Sequence, residues 1–172
     1  MQYVTVHLNF SATALKKEHP QTVAVVLSSI AADRAAELLV GESCRLVLNT
    51  EHELGMHSSA AAAAEAVAPE ADALIVMLAD MPLVTASMLE TIRAEYMSTA
   101  GSLVVSRYGD VIAPPTLFDR SLFPHLRSMG GGSVKALVER FWSEASVVDW
   151  RPSQLQDIDT LADFEALRGD GE

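Results

Sequence analysis

The stretch ALIVMLADMPLV, residues 73–84, decides the fold because an unbroken apolar run ends there at a single carboxylate. Such a run is typical of a strand that is buried on both faces, and we predict a strand over residues 72–79. Pro82 fixes its own backbone and disfavours a helical conformation at Met81, so the chain leaves the strand abruptly. The side chain of Asp80 is therefore expected at the carboxyl end of an inner strand.

The rest of the chain alternates apolar, β-branched segments with segments of helical spacing. This alternation predicts an α/β fold with a mainly parallel sheet and helices on both faces. No linker interrupts residues 1–172, which we interpret as one domain. The other predicted strands cover 22–29, 44–49, 102–106 and 145–150, and the predicted helices lie within 31–40, 58–69, 85–97, 130–142 and 157–167.

Local residue types predict where several of these helices begin. Ser58 and Thr85 are candidate N-caps, since a side-chain hydroxyl can accept a hydrogen bond from the first turn. Thr160 and Asp163 have the spacing of a capping box, although that motif prefers Glu or Gln at the second position. The pair Pro114-Pro115 is expected to break the chain.

Composition and charge exclude several classes of function. The formal net charge of −11 disfavours nucleic-acid polymers as partners, while small nucleotides remain compatible because a divalent cation can hold their phosphates. No apolar run approaches the length of a membrane span. Cys44 is the only cysteine, which excludes an internal disulfide and a cysteine-based zinc site. We expect a cytoplasmic protein.

Two carboxylates are candidates for a metal site. Ligands of open α/β sheets bind beyond the carboxyl ends of the strands, where Asp80 is expected, and Mg²⁺ prefers one or two carboxylates together with substrate phosphates. The alternative is that Asp80 only caps the following turn. Asp159 precedes a predicted helix and shares one face of an extended segment with Asp157. It either joins Asp80 around the metal or only complements the helix dipole.

Four motifs in order resemble the MobA-like nucleotidyltransferases. They are the strand followed by Asp80-Met81-Pro82, the GMHSS segment at 55–59, the segment PTLFDRSLFPHLRSMGGGSVKALV at 115–138, and DIDTLADFEAL at 157–167. The likeness runs from about Thr22 to Leu167 and is best to the molybdenum cofactor cytidylyltransferases. It implies a Rossmann-like nucleotidyltransferase fold, Mg²⁺ as cofactor, and release of pyrophosphate from a nucleoside triphosphate, with CTP favoured over GTP. Molybdopterin or another small molecule would be the acceptor.

The resemblance also implies roles for individual residues. Asp80 would be the catalytic aspartate and would bind the metal, with Asp159 as a second ligand. The residues implied beside the nucleotide are Gly55, Met56, Ser58 and Ser59. Those implied beside the acceptor are Gly130, Gly131, Gly132 and Ser133.

The family's glycine-rich phosphate loop, which carries an Arg and a Lys after the first strand, has no counterpart in this sequence. The first glycine is Gly41, and Lys16-Lys17 end a segment, VHLNFSATALKK, with the spacing of a helix. We therefore expect the family's first strand to be missing and the chain to be N-terminally truncated relative to the family. The start could be misassigned, the protein could be degenerate, or GGGSVK at 130–135 could supply a substitute loop.

The alternative function is a non-catalytic binding or interaction protein. A missing first strand would leave an unpaired sheet edge, and such an edge favours association with a second copy. Under this hypothesis the protein is a degenerate family member and forms a homodimer.

Overall fold

The computed structural model describes residues 3–8, 23–28, 44–69, 71–78, 80–128, 132–158, 160–163 and 165. For residues 3–8, 23–28 and 44 this description covers the backbone alone. The described residues form a seven-stranded sheet in the order β3-β2-β1-β4-β6-β5-β7. The strands are β1 (Tyr3–Leu8), β2 (Val23–Ser28), β3 (Cys44–Asn49), β4 (Ala73–Leu78), β5 (Leu103–Tyr108), β6 (Val111–Asp119) and β7 (Ala145–Trp150).

Strand β1 lies inside the sheet, so the expectation that the first strand is missing is wrong. It pairs in parallel with β2 and with β4, and its register with β4 runs from Tyr3 opposite Ala73 to Leu8 opposite Leu78. The β-branched run Val4-Thr5-Val6 suits a strand, and hydrogen bonding on both sides outweighs the weak helical spacing of this segment. The unpaired edge proposed for dimerisation is therefore not created here. Residues 9–22, which follow β1, and the predicted helix at 31–40 lie outside the described residues.

The sheet is mainly parallel, as predicted, with one antiparallel strand. Strand β6 runs antiparallel to both β4 and β5, while the other pairings are parallel. The sequence does not predict β6, because the Pro114-Pro115 pair favours a break in the chain. Their missing N–H groups are tolerated beside a register shift at Val105/Ser106, where the hydroxyl of Ser106 donates to the carbonyl of Pro115 at 2.6 Å.

Along the chain, the described helices are interspersed among the strands. They are α1 (Met56–Val67), α2 (Ala86–Ser98), α3 (Phe123–Arg127) and α4 (Val134–Arg140), with short 3-10 helices at His52–Leu54, Arg120–Leu122, Trp142–Glu144 and Pro152–Gln154. Thr85 caps α2 as predicted, accepting from the N–H of Met88 at 3.4 Å. Ser58 does not cap α1, because that helix begins earlier, with Gly55 at its N-cap.

The core has two layers, one on each face of the sheet. Alternate residues of β4 point to opposite faces, as the period of a strand requires. Leu74 and Val76 pack with α1, α3 and α4, whereas Ile75 and Met77 pack with α2. The residues of both layers are buried, so β4 is packed on both faces in the middle of the domain. This packing fixes the point where the chain leaves the sheet. Among the described helices, none has the length and apolar content to span a membrane.

Candidate functional site

Asp80 lies just beyond the carboxyl end of β4, where the prediction places it. Its side chain is exposed, and within the described part of the chain no ion pair or hydrogen bond engages the carboxylate. Its neighbour Met81 is only 3% exposed and packs against Met88 and Tyr108. Because the side chain of Met81 is anchored in the core, the adjacent Asp80 carboxylate is held at the protein surface, beyond the carboxyl end of β4.

The C-terminal segment reaches the same loop. The backbone N–H of Ile158 donates to the backbone carbonyl of Asp80 at 2.8 Å, and Leu155 packs against the cluster that holds Met81. The capping box predicted further along is confirmed, since the N–H of Thr160 donates to the Asp163 carboxylate at 2.7 Å and the N–H of Asp163 donates to the Thr160 hydroxyl at 3.2 Å. Asp159, the second predicted metal ligand, lies outside the described residues.

The donor set tests whether a magnesium ion fits at this edge. Among the described residues no group of three or more His, Cys, Asp or Glu side chains could enclose a metal. Mg²⁺ is ordinarily bound by one or two carboxylates plus substrate phosphates and waters. Within the described residues, the exposed carboxylate of Asp80 at the end of β4 therefore fits an ion that arrives with a nucleotide and does not fit a structural metal.

The turn from residue 55 to 59, which leads into α1, is held by a buried amide that sequence reasoning missed. Asn49 ends β3, is 3% exposed, and donates from Nδ2 to the hydroxyls of Ser58 and Ser59, both at 2.8 Å. Its Oδ1 accepts from the backbone N–H of Glu51 at 2.9 Å. Ser58 is also buried and donates its hydroxyl to the carbonyl of Gly55 at 2.8 Å. The hydroxyls of both serines thus hold the turn in place.

Gly55 and Met56 form the exposed part of this turn. Gly55 has φ of 100°, a conformation that a residue with a Cβ rarely adopts, and Met56 is 55% exposed. Of the predicted nucleotide-binding residues, these two therefore offer accessible backbone and side-chain surface, while the buried Ser58 supports them from below. A polar residue at the carboxyl end of a strand, as in CRLVLN, was the signal that could have identified Asn49.

A cleft of about 470 Å³ joins the turn to the end of β4. It is lined by Met56, by residues of the neighbouring strands β4 and β6, and by helix α4. The lining residues are Met56, Val76, Leu78, Asp110, Val111, Ile112, Ala113, Pro114, Thr116, Val134, Lys135, Val138, Glu139 and Trp142. The GMHSS turn and the strand that precedes Asp80, which are distant in sequence, therefore border one cavity.

Of the predicted acceptor residues, Gly132 and Ser133 directly precede helix α4, which lines this cleft. Gly130 and Gly131 are outside the described residues, and Gly132 is half-buried. Ser133 uses its hydroxyl to cap α4, accepting from the N–H of Ala136 at 3.0 Å. The glycine turn thus introduces the helix whose residues face the cavity.

Tyr108 closes the base of the Asp80 loop. Burial, the largest effect, together with the negative charge of Asp157, raises the pKa of Tyr108 to about 12, although a hydrogen bond with Ser106 opposes the change. The phenol donates to the carbonyl of Pro114 at 2.9 Å. Tyr108 is therefore a neutral packing and hydrogen-bonding group at physiological pH, and not an acid or a base.

Comparisons with known proteins agree with this architecture. The model of the MobA-like NTP transferase domain matches residues 6–146. No curated protein sequence matches the chain significantly.

Solved structures share the fold at low identity. A complex of Rv0371C with manganese from Mycobacterium tuberculosis is 20% identical with a TM-score of 0.69, covering 96% of each chain. Molybdopterin-guanine dinucleotide biosynthesis protein A from Archaeoglobus fulgidus is 15% identical with a TM-score of 0.69, covering 98% of each chain. The 4-diphosphocytidyl-2C-methyl-D-erythritol synthase from Anaerococcus prevotii is 12% identical with a TM-score of 0.77, covering 98% of this chain and 95% of that one. All three have the Rossmann-like fold predicted from the sequence.

Proposed function

Because the chain belongs to the MobA-like NTP transferase family, we propose that it transfers a nucleotidyl group from a nucleoside triphosphate to a small acceptor, in the cytoplasm. More narrowly, we propose CTP as the donor and molybdopterin as the acceptor, giving the cytidine dinucleotide cofactor and pyrophosphate. The position of Asp80 carries this proposal. Its exposed carboxylate lies two residues beyond Leu78, and Leu78 lines a cavity together with Met56 of the turn implied to meet the nucleotide.

The nucleotide would lie along the exposed surface of the 55–59 turn. Gly55 has no side chain, so a base or ribose can approach the backbone closely. Asn49 fixes Ser58 and Ser59, and through them the turn, so that little ordering remains to be done when the nucleotide binds. These residues position the nucleotide and do not react.

Asp80 would hold Mg²⁺ together with the triphosphate, with Asp159 as a second ligand. The manganese complex of a relative with the same fold supports the use of a divalent cation in this family. When bound, the ion would offset phosphate charge and stabilise the pyrophosphate that leaves. The role of Asp80 itself is to fix where the phosphates sit relative to the acceptor, because nucleotidyl transfer depends mainly on positioning and on charge neutralisation.

The reaction conserves atoms and charge without a covalent enzyme intermediate. An oxygen of the acceptor's phosphate attacks the α-phosphorus of CTP, and the bond between the α-phosphorus and the bridging oxygen breaks. The electron pair of that bond leaves with pyrophosphate. The proposed reaction needs no nucleophilic side chain, because the acceptor's own phosphate attacks.

The experiment is a calorimetric titration of the protein with CTP and with GTP, each with and without Mg²⁺. We expect Mg²⁺-dependent binding of CTP at micromolar concentration, weaker binding of GTP, and release of pyrophosphate once molybdopterin is added. If neither nucleotide binds, the nucleotidyltransferase proposal is wrong. The protein would then be better described as a non-catalytic binding protein, and sedimentation would show whether it forms a homo-oligomer.

A further inference from the structure

The cleft between α4 and the first half of β6 has properties of its own. Its volume of about 470 Å³ lies in the range of small-molecule sites, roughly 300 to 1,000 Å³. Most of its lining is apolar. Four of its apolar side chains are unusually exposed for their type, with Met56 at 55%, Val111 at 48%, Trp142 at 45% and Ile112 at 37%. Clustering of exposed apolar side chains around one cavity indicates a binding surface more than a packing defect.

Charge shows which substrate the cleft can hold. Its charged lining residues are Lys135, Asp110 and Glu139, which together carry one positive and two negative formal charges. A nucleoside triphosphate carries about four negative charges, and a single lysine beside two carboxylates does not offset them. The cleft therefore does not suit the triphosphate.

Shape and polarity define the ligand more closely. The indole of Trp142 offers a flat apolar face of the kind that stacks on rings. Lys135 is exposed and can pair with one anionic group while its stem covers apolar surface. The carboxylates of Asp110 and Glu139 accept hydrogen bonds only, so they favour N–H or O–H groups at the edge of a ring and disfavour further anions.

We propose that this cleft is a second-substrate site for a flat, mostly apolar ring compound that bears a single anionic group. Trp142 contacts the ring and Lys135 contacts the anion. Calling this ligand the acceptor rests on the proposed nucleotidyl transfer, whereas its chemical class rests on the cleft alone. A polyol phosphate, which has the anion but no ring, is excluded as the preferred ligand.

The test uses three probes that separate ring from anion. Naphthalenesulfonate has both, naphthalenemethanol has only the ring, and glycerol phosphate has only an anion. Each is titrated calorimetrically into the full chain without nucleotide or metal. We expect naphthalenesulfonate to bind about tenfold more tightly than either of the others, a difference of ~1.4 kcal/mol.

Variants assign the binding to the cleft. Trp142→Ala should weaken naphthalenesulfonate binding about tenfold, and Lys135→Gln about fivefold. The matched controls are Met97→Ala, an equally exposed apolar residue on α2, and Arg140→Gln, an exposed cation on α4 that does not line the cleft; both should bind as the wild type. If Trp142→Ala does not fold, Val111→Asp tests the same cavity from β6, at an exposed position.

The outcomes distinguish this inference from the proposed function. Equal binding by Trp142→Ala and the wild type, or glycerol phosphate binding as tightly as naphthalenesulfonate, would overturn the inference. Loss of nucleotide binding in Asp80→Asn with unchanged naphthalenesulfonate binding supports two separate sites. Failure of the wild type to bind any nucleotide, with naphthalenesulfonate still bound through Trp142, would remove the nucleotidyl transfer and leave the ring-binding site.

Discussion

The backbone N–H of Ile158 donates a hydrogen bond to the backbone carbonyl of Asp80 at 2.8 Å. This contact joins residues far apart in sequence and holds the loop after β4 from the outside, while the buried side chain of Met81 holds it from the inside. The backbone of the loop is thus fixed by groups other than the Asp80 carboxylate. Chemistry and stability are separable at this position, because the carboxylate can be changed without touching either anchor.

Asp80→Asn should lower the rate of nucleotidyl transfer by about 100-fold or more and should leave the fold unchanged. The amide keeps the shape of the side chain and removes the charge that would attract the cation. The measurement is pyrophosphate release with CTP and Mg²⁺, alongside urea unfolding. Asp72→Asn, at the opposite end of the same strand segment, is the matched control and should keep full activity. Equal rates for both variants would contradict the role assigned to Asp80.

Asn49→Ala should destabilise the protein by about 2–3 kcal/mol. The change removes hydrogen bonds to Ser58, Ser59 and the N–H of Glu51, and it leaves the buried Ser58 hydroxyl without its donor. Urea unfolding measures the loss. Since the turn would also lose its support, the KM for the nucleotide should rise more than kcat falls. Ser59→Ala removes only one of these bonds and should cost about 1 kcal/mol, so a loss as large as that of Asn49→Ala would argue against the network.

Gly55→Ala should destabilise the protein by about 1–2 kcal/mol through the backbone alone. Its φ is 100°, yet an added Cβ would meet no atom closer than 3.6 Å, so crowding is not the cause. Binding of CTP should weaken as well, because the methyl group would cover the exposed surface of the turn. Gly101→Ala is the contrasting variant. Its Cβ would lie 2.6 Å from the carbonyl oxygen of Glu144, so it should destabilise the fold and leave nucleotide affinity in the folded protein unchanged.

The parts of the fold that the sequence predicted are those where local pattern and tertiary environment agree. Strand β4 is apolar on both faces and lies in the middle of the sheet, and Thr85 caps α2 through its own side chain. The sequence does not predict strand β1, because this short segment has some helical spacing. The neighbouring strands β2 and β4, which supply hydrogen bonds on both sides, cannot be identified from the local pattern. The sequence does not predict strand β6, because its two prolines disfavour a strand. The register shift in β5 opposite the prolines explains how the sheet accommodates them.

A residue of the candidate site can be predicted where its own position in the sequence indicates its role. It cannot be predicted where the role depends on contacts between residues distant in sequence. Asp80 follows from its place at the end of an apolar strand. Ser58 and Ser59 were assigned to the nucleotide, but their hydrogen bonds to Asn49 can be found only in three dimensions. The same holds for Trp142, because its sequence neighbours give no indication that it shares a cavity with Met56. Pairing across the sheet, and not local spacing, brings these residues together.

Tyr108→Phe should make the stability less sensitive to alkaline pH. Burial, reinforced by the charge of Asp157, raises the pKa of Tyr108 from its ordinary 10.0 to about 12, so the folded protein keeps the phenol proton over a range where the unfolded chain loses it. The stabilisation is therefore complete below pH 10 and is lost as the pH rises through about 12. At pH near neutrality the variant should be less stable by about 1 kcal/mol, because the hydrogen bond to the Pro114 carbonyl is gone. Urea unfolding of both proteins at a series of pH values gives the comparison, since other groups that titrate at alkaline pH cancel between them. The stability gap should narrow between pH 10 and 12, and a gap that stays constant across that range would show that Tyr108 ionises normally in the folded state.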